Sequence, residues 1–107
     1  MKTFGQIIAE ARNAASLIQK DLAGAIRKED GEAISPQYLN DIEHDRRNPP
    51  SEFIIEQLAK QLQLSKDPLI GAAGMWPTDV RQKMPAPDPK TIDQAFTAFR
   101  KVLEDKS

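Results

Sequence analysis

Apolar positions along the chain return at three- and four-residue steps almost throughout, which is the period of helices with one buried side. Phe4, Ile7, Ile8, Ala11 and Ala15 form the first stripe. Thr3 stands as its N-cap and Gln6 follows three residues on, as a reciprocal capping box requires. Leu22, Ala23 and Ile26 predict a second helix over 19–28, closed by the polar turn Glu29-Asp30-Gly31-Glu32, where glycine is available for a positive φ. Ser35-Pro36 opens a third. Serine accepts from the free amides of the first turn, and proline at N1 forfeits only a donor that has no partner there. Its apolar side is Tyr38, Leu39 and Ile42, and it ends near Glu43 or His44. Asn48-Pro49-Pro50 then forces extended backbone. Ser51 caps a fourth helix that buries Ile54, Ile55, Leu58, Ala59 and Leu62. Ser65 or Asp67 starts a fifth, with Pro68 near N1 and Leu69, Ile70 and Ala73 inward.

From Gly74 the pattern weakens. Met84-Pro85-Ala86-Pro87-Asp88-Pro89 holds three prolines and reads as a stiff spacer. Asp88-Pro89 opens a last helix with Ile92, Ala95, Phe96, Phe99, Val102 and Leu103 on one stripe. The expected organisation is an all-α chain: a five-helix domain over 1–76, a proline-rich linker over 77–89, and an amphipathic C-terminal helix over 90–107. That helix carries two of the four phenylalanines. Two packings are open to it, back onto helices one and five of its own chain or onto its counterpart in a homodimer through Ile92, Phe96, Phe99 and Leu103. Met75 and Trp76 are expected to close the bottom of this interface or core. There is no strand pattern, repeat or low-complexity tract.

Composition narrows the possible functions. A chain of 107 residues, 39% hydrophobic and 29% charged, suffices for one modest core. The absence of cysteine removes disulfides and thiolate metal sites. No apolar run approaches the ~18 residues of a membrane span. MKTFGQIIAEAR carries charges inside its apolar pattern and reads as a helix, not a signal peptide, so a cytoplasmic location is expected. His44 is the only histidine, which argues against zinc. Asp41, Glu43 and Asp45 lack the glycine and distal glutamate of a calcium loop and read as a solvated acidic face. There is no Ser-His-acid or Cys-His arrangement and no phosphate-binding glycine loop, so neither an enzyme nor a cofactor is expected. The net charge is −1, and residues 1–50 hold seven Lys/Arg against eight Asp/Glu. Any nucleic-acid surface must therefore arise from where charges sit, not from their excess.

Two short adjacent helices, the second of them proline-capped, have the layout of a helix-turn-helix, whose second helix enters the major groove. Three short helices with a turn also occur in proteins that touch no DNA. Further residues narrow the choice: FGQIIAEAR, LIQKDLA opening helix two, SPQYLNDIEHDRRNPP, and IIEQLAKQLQL followed by DPLI. In their order and spacing they resemble the Cro and phage-repressor type of helix-turn-helix domain, the XRE family, over roughly residues 3 to 74.

That resemblance implies a lambda-repressor-like domain that binds double-stranded DNA and regulates transcription, with repression by a homodimer on a palindrome as the expected mode. It implies that Gln19 contacts phosphate and braces the recognition helix. Pro36, Gln37, Asn40 and Asp41 would face base edges. Gln37 is the best reader, because a carboxamide pairs with adenine N6 and N7. Ser35, His44, Arg46, Arg47 and Asn48 would hold phosphates. Arg12 and Glu43 would form an ion pair tying helix one to the end of helix three. One departure is visible. A turn over Glu29 to Ile34 has about six residues against the ~3–4 usual in the motif, and its tip is acidic. The acidic tip and the negative net charge suit an alternative class, a protein-interaction module or antitoxin-type chain that binds a protein partner through the C-terminal helix or the acidic surface.

Overall fold

The computed structural model describes residues 2–83 and 88–106. Met84, Pro85, Ala86 and Pro87 of the expected spacer lie outside the described residues. Among those described, seven helices follow in order: α1 (Phe4–Ala14), α2 (Gln19–Gly24), α3 (Pro36–Glu43), α4 (Glu52–Leu62), α5 (Lys66–Ala72), α6 (Thr78–Gln82) and α7 (Pro89–Lys106). The chain divides into two units, Met1–Pro77 with α1 to α5 and Thr78–Ser107 with α6 and α7.

Local chemistry sets most helix ends. The Thr3 hydroxyl accepts from the Gln6 N–H at 3.1 Å, and Gln6 Oε1 accepts from the Thr3 N–H at 3.0 Å, the full capping box. Ala15 is the C-cap and is exposed, so the inward stripe of α1 stops at Ala11, one turn short of the expected end. Ser35 accepts from the Tyr38 N–H at 3.0 Å, and Pro36 occupies the first turn of α3. Ser51 caps α4 through the Ile54 N–H, and Gln63, in the left-handed region at φ 56°, ends it.

The connection from α2 to α3 differs from expectation. α2 stops at Gly24 and does not reach Lys28, so the connection covers residues 25–35. Ile26 fits the helical period four residues after Leu22, but glycine is a poor helix former and the chain leaves the helix there. It turns into a small antiparallel loop with a bridge between Arg27 and Ala33. The Lys28 N–H donates to Glu32 O at 2.8 Å and the Ile34 N–H to Ile26 O at 3.0 Å. Gly31 supplies the positive φ, +90°, at the tip. Ile26 and Ile34, one on each leg, are both buried, so the loop is rooted in the core. Its outer edge is closed by the carboxamide of Gln57, which accepts from the Arg27 N–H at 2.7 Å and donates to Arg27 O at 2.8 Å.

The first unit folds around Ile8, Leu22, Ile26, Leu39, Ile55, Leu58 and Ile70, all fully buried. Each such side chain contributes about 1.5–3 kcal/mol by leaving water. Ile7, Ala11, Leu17, Tyr38, Leu64, Ala73 and Met75 pack around this centre, while Trp76 is 41% exposed. α3 packs against α1 and α2, and α4 against α1 and α5. The α1–α3 approach depends on Gly5, where a Cβ would lie 2.4 Å from Ile42 O and 2.7 Å from Glu43 O. Burying Leu39 and Ile42 in this way leaves the opposite side of α3 to solvent.

In the second unit, α6 occupies part of the stretch expected to be linker. Asp88 caps α7, accepting from the Thr91 hydroxyl at 3.1 Å and the Lys90 N–H at 3.3 Å. Phe99, Val102 and Leu103 are each at least half exposed. No helix among the described residues is long and apolar enough to cross a membrane.

Candidate nucleic-acid interface

On α3, Pro36 and Gln37 are exposed to solvent and Asn40 and Asp41 are partly so. This is a four-residue patch on one side of a helix of eight residues. The Gln37 amide donates to Asp41 Oδ1 at 3.0 Å, one turn along the same face. Ser35, an exposed residue, stands at the helix entrance.

Beneath the patch lies a buried charged network. Arg12 grips Glu43 with two parallel bonds, Nε to Oε2 at 2.6 Å and Nη2 to Oε1 at 2.9 Å. The two side chains are only 13% and 2% exposed. Arg12 also donates to Leu17 O at 2.8 Å. The hydrogen bonds that Arg12 donates to Glu43 raise the guanidinium above its ordinary value against the opposing effect of burial, and Coulomb attraction to the same carboxylate adds to the rise. Gln19 Nε2 donates to Glu43 Oε1 and to Asn40 Oδ1, both at 3.0 Å. Both amide protons of Gln19 are thus engaged within the protein, and its side chain stands as a strut between α2 and α3.

The expected solvated acidic face is not one. Glu43 is buried. Asp45, with φ 56°, turns its carboxylate onto the start of α1, accepting from the Thr3 hydroxyl and from the Gly5 N–H at 3.0 Å. Asp41 is half-buried and faces two cations, Arg47 Nε at 3.4 Å and Arg46 Nη1 at 3.9 Å. Among the described residues no group of acidic or histidine side chains is placed to hold a metal ion. Sequence reasoning missed Asp45 as the tie between α1 and the α3–α4 loop. Its only visible signal is an aspartate that the chain must pass in the left-handed region, which Asp tolerates better than most residues.

The loop after α3 gathers the remaining candidates. His44 is its first residue, with Nδ1 donating to Asn40 O at 2.8 Å. Arg46, Arg47 and Asn48 are exposed, and Pro50 is buried and anchors the far end. The Arg47 guanidinium lies over the Tyr38 ring, 4.9 Å from its centroid. Tyr38, expected to pack on the apolar side of α3, also holds a cation. Tyr38, Asp45, Arg46, Arg47 and Asn48 line an open polar recess beside α3. The contacts of both arginines to Asp41 are long and solvent-exposed, so they are worth little and are easily exchanged for another anion. The structure thus brings Gln37, Asn40 and Asp41 together with Arg46 and Arg47, sets Gln19 behind them, and places Arg12 and Glu43 beneath. Ile92, Phe96, Phe99 and Leu103 lie in the other unit.

A family model described as Helix-turn-helix matches residues 8–69, more than half of the chain. Neither the curated proteins nor the solved structures contain a significant match.

Proposed function

The chain belongs to the XRE-type helix-turn-helix family of DNA-binding transcription regulators, and from that premise we propose that it represses transcription as a homodimer bound to a palindromic operator. The observation that carries this reading is the joint presentation of an amide-bearing α3 face and the Arg46–Arg47 loop beside it. In it, Gln37 and Asn40 meet base edges in the major groove, with Pro36 and Asp41 at the rim of the contact. Arg46, Arg47, Asn48, His44 and Ser35 hold the phosphates on either side, and Gln19 braces Asn40 from α2. Phosphate contacts set register while base contacts choose sequence.

The apolar stripe of α7 supports the homodimer. Ile92, Phe96, Phe99 and Leu103 recur at steps of four, three and four residues, the spacing of a helix–helix seam. A single short helix reads few bases, each good contact worth only ~1–3 kcal/mol. Two copies set one helical turn apart, ~34–36 Å, double the readout.

The test is selection from a randomised duplex pool with the full chain, then titration of the enriched site over a range of salt. A palindrome bound more weakly as salt rises is expected. Leu103→Glu is expected to give monomers by sedimentation and to weaken binding to the full palindrome far more than to a half-site. If no sequence is enriched, the regulator reading fails. The exposed acidic tip Glu29-Asp30-Gly31-Glu32 then favours a protein partner instead.

A further inference from the structure

The buried network has a consequence for base recognition, because a carboxylate can only accept. Glu43 accepts a bond from Arg12 on each of its two oxygens and is almost completely buried. The Gln19 atom 3.0 Å from Glu43 Oε1 must therefore be its NH2. That same nitrogen lies 3.0 Å from the Asn40 amide. With its protons committed and no lone pair to offer, it can only donate, so Asn40 must turn Oδ1 inward. Inverting Asn40 would bring two NH2 groups together and leave donors without acceptors, a state disfavoured by roughly tenfold or more. The Asn40 NH2, which has no hydrogen-bond partner among the described residues, is the group left to face outward.

The neighbouring amide behaves differently. Gln37 gives a proton to Asp41 Oδ1 at 3.0 Å and keeps its Oε1 uncommitted. A carboxylate therefore lies behind each reading amide, directly for Gln37 and through Gln19 for Asn40. The outcome is opposite: an acceptor is available at Gln37, and only donors at Asn40.

We propose that Asn40 reads guanine, donating to its N7 and O6, and that Arg12, Glu43 and Gln19 act as positioning residues that set this preference without touching the DNA. This rests on the DNA-binding reading above. In the major groove guanine alone offers two adjacent acceptors. Adenine offers one acceptor beside an amino group, cytosine an amino group, and thymine a single acceptor beside a methyl. An asparagine free to rotate would pair with adenine through both its oxygen and its nitrogen. One locked as a donor loses that option and favours guanine.

Three measurements test the proposal. In the selected operator, Asn40→Ala is expected to relax one position per half-site, and that position is expected to be guanine. Replacing that base by 7-deazaguanine, which lacks N7, should weaken the unaltered protein by about 3- to 10-fold. Gln19→Ala should let adenine compete with guanine at that position alone, leaving the salt dependence unchanged, which a general loss of structure would not do. In the free chain, nuclear magnetic resonance should find the Gln19 amide protons protected from exchange and the Asn40 amide protons exchanging with water. If Asn40→Ala relaxes an adenine or cytosine position, or if the Asn40 protons are the protected ones, the proposal is overturned while DNA binding stands. If no site is enriched at all, the base assignment falls together with the reading it rests on.

Discussion

Replacing Arg12 by methionine should be among the most damaging single changes in the chain. Glu43 is 2% exposed, and Arg12 supplies two of its three hydrogen bonds. Without Arg12 an ionised carboxylate remains buried with one neutral donor, at a cost of about 3–5 kcal/mol. A unit of this size holds only about 4–12 kcal/mol in total. The melting temperature should fall by about 12–40 °C, at roughly 4–8 °C per kcal/mol. The double variant Arg12→Met with Glu43→Leu removes both charges and fills similar space. It should return to within about 1 kcal/mol of the parent or exceed it, because desolvating both ions offsets much of what their attraction contributes. Urea unfolding followed by far-ultraviolet circular dichroism measures both variants against the parent. The reasoning fails if Arg12→Met costs less than about 1 kcal/mol, or if the double variant is less stable than the single. The same pair gives a pH prediction. The Arg12 value is raised on folding, so its contribution is fully present below the unfolded arginine range and is lost only as pH rises through the still higher folded value. Melts between about pH 7 and pH 10 should show no loss traceable to Arg12.

Gly5→Ala should destabilise the first unit by about 1–3 kcal/mol or more, because the new Cβ meets backbone oxygens of Ile42 and Glu43 that cannot rotate away. An unchanged thermal melt would contradict the close approach of α1 and α3. Gln57→Ala should remove both bonds to the Arg27 backbone and speed amide exchange at Arg27, while exchange at Ile55 stays slow. Equal protection at Arg27 would mean the loop is held by its own bridge and core isoleucines. Arg46→Ala should weaken all sequences alike and reduce the log–log salt slope by about 0.9, the share of one phosphate contact. A sequence-selective effect would move Arg46 from backbone to base contact.

Much of the first unit was legible in the sequence because its determinants are local or periodic. The Thr3–Gln6 capping box, the Ser35-Pro36 start and the Ser51 cap depend on residues within one turn of one another. The inward stripe Ile54, Ile55, Leu58, Ala59 and Leu62 depends only on helical period. The Arg12–Glu43 pair came from resemblance, not from spacing, since no period links residues so far apart. What the sequence misrepresented, it misrepresented for physical reasons. Ile26 satisfies the helical period of α2, yet it is buried from the leg of a loop, because burial needs the right direction and not a continuing helix. Asp41, Glu43 and Asp45 look alike as a string of acids. Tertiary packing gives them three different partners: Gln37 with two exposed arginines, the buried Arg12, and the start of α1.

The sequence by itself determined that the chain is helical, where most helices begin, which side chains form the core and which short helix carries amides beside paired arginines. Only the tertiary structure decided which way those amides point. Hydrogen-bond polarity at Asn40 is set by Gln19 on another helix and by a carboxylate bonded to Arg12 on a third. Direction at a hydrogen-bonding surface is a property of partners brought together by folding, and no local pattern of residues encodes it.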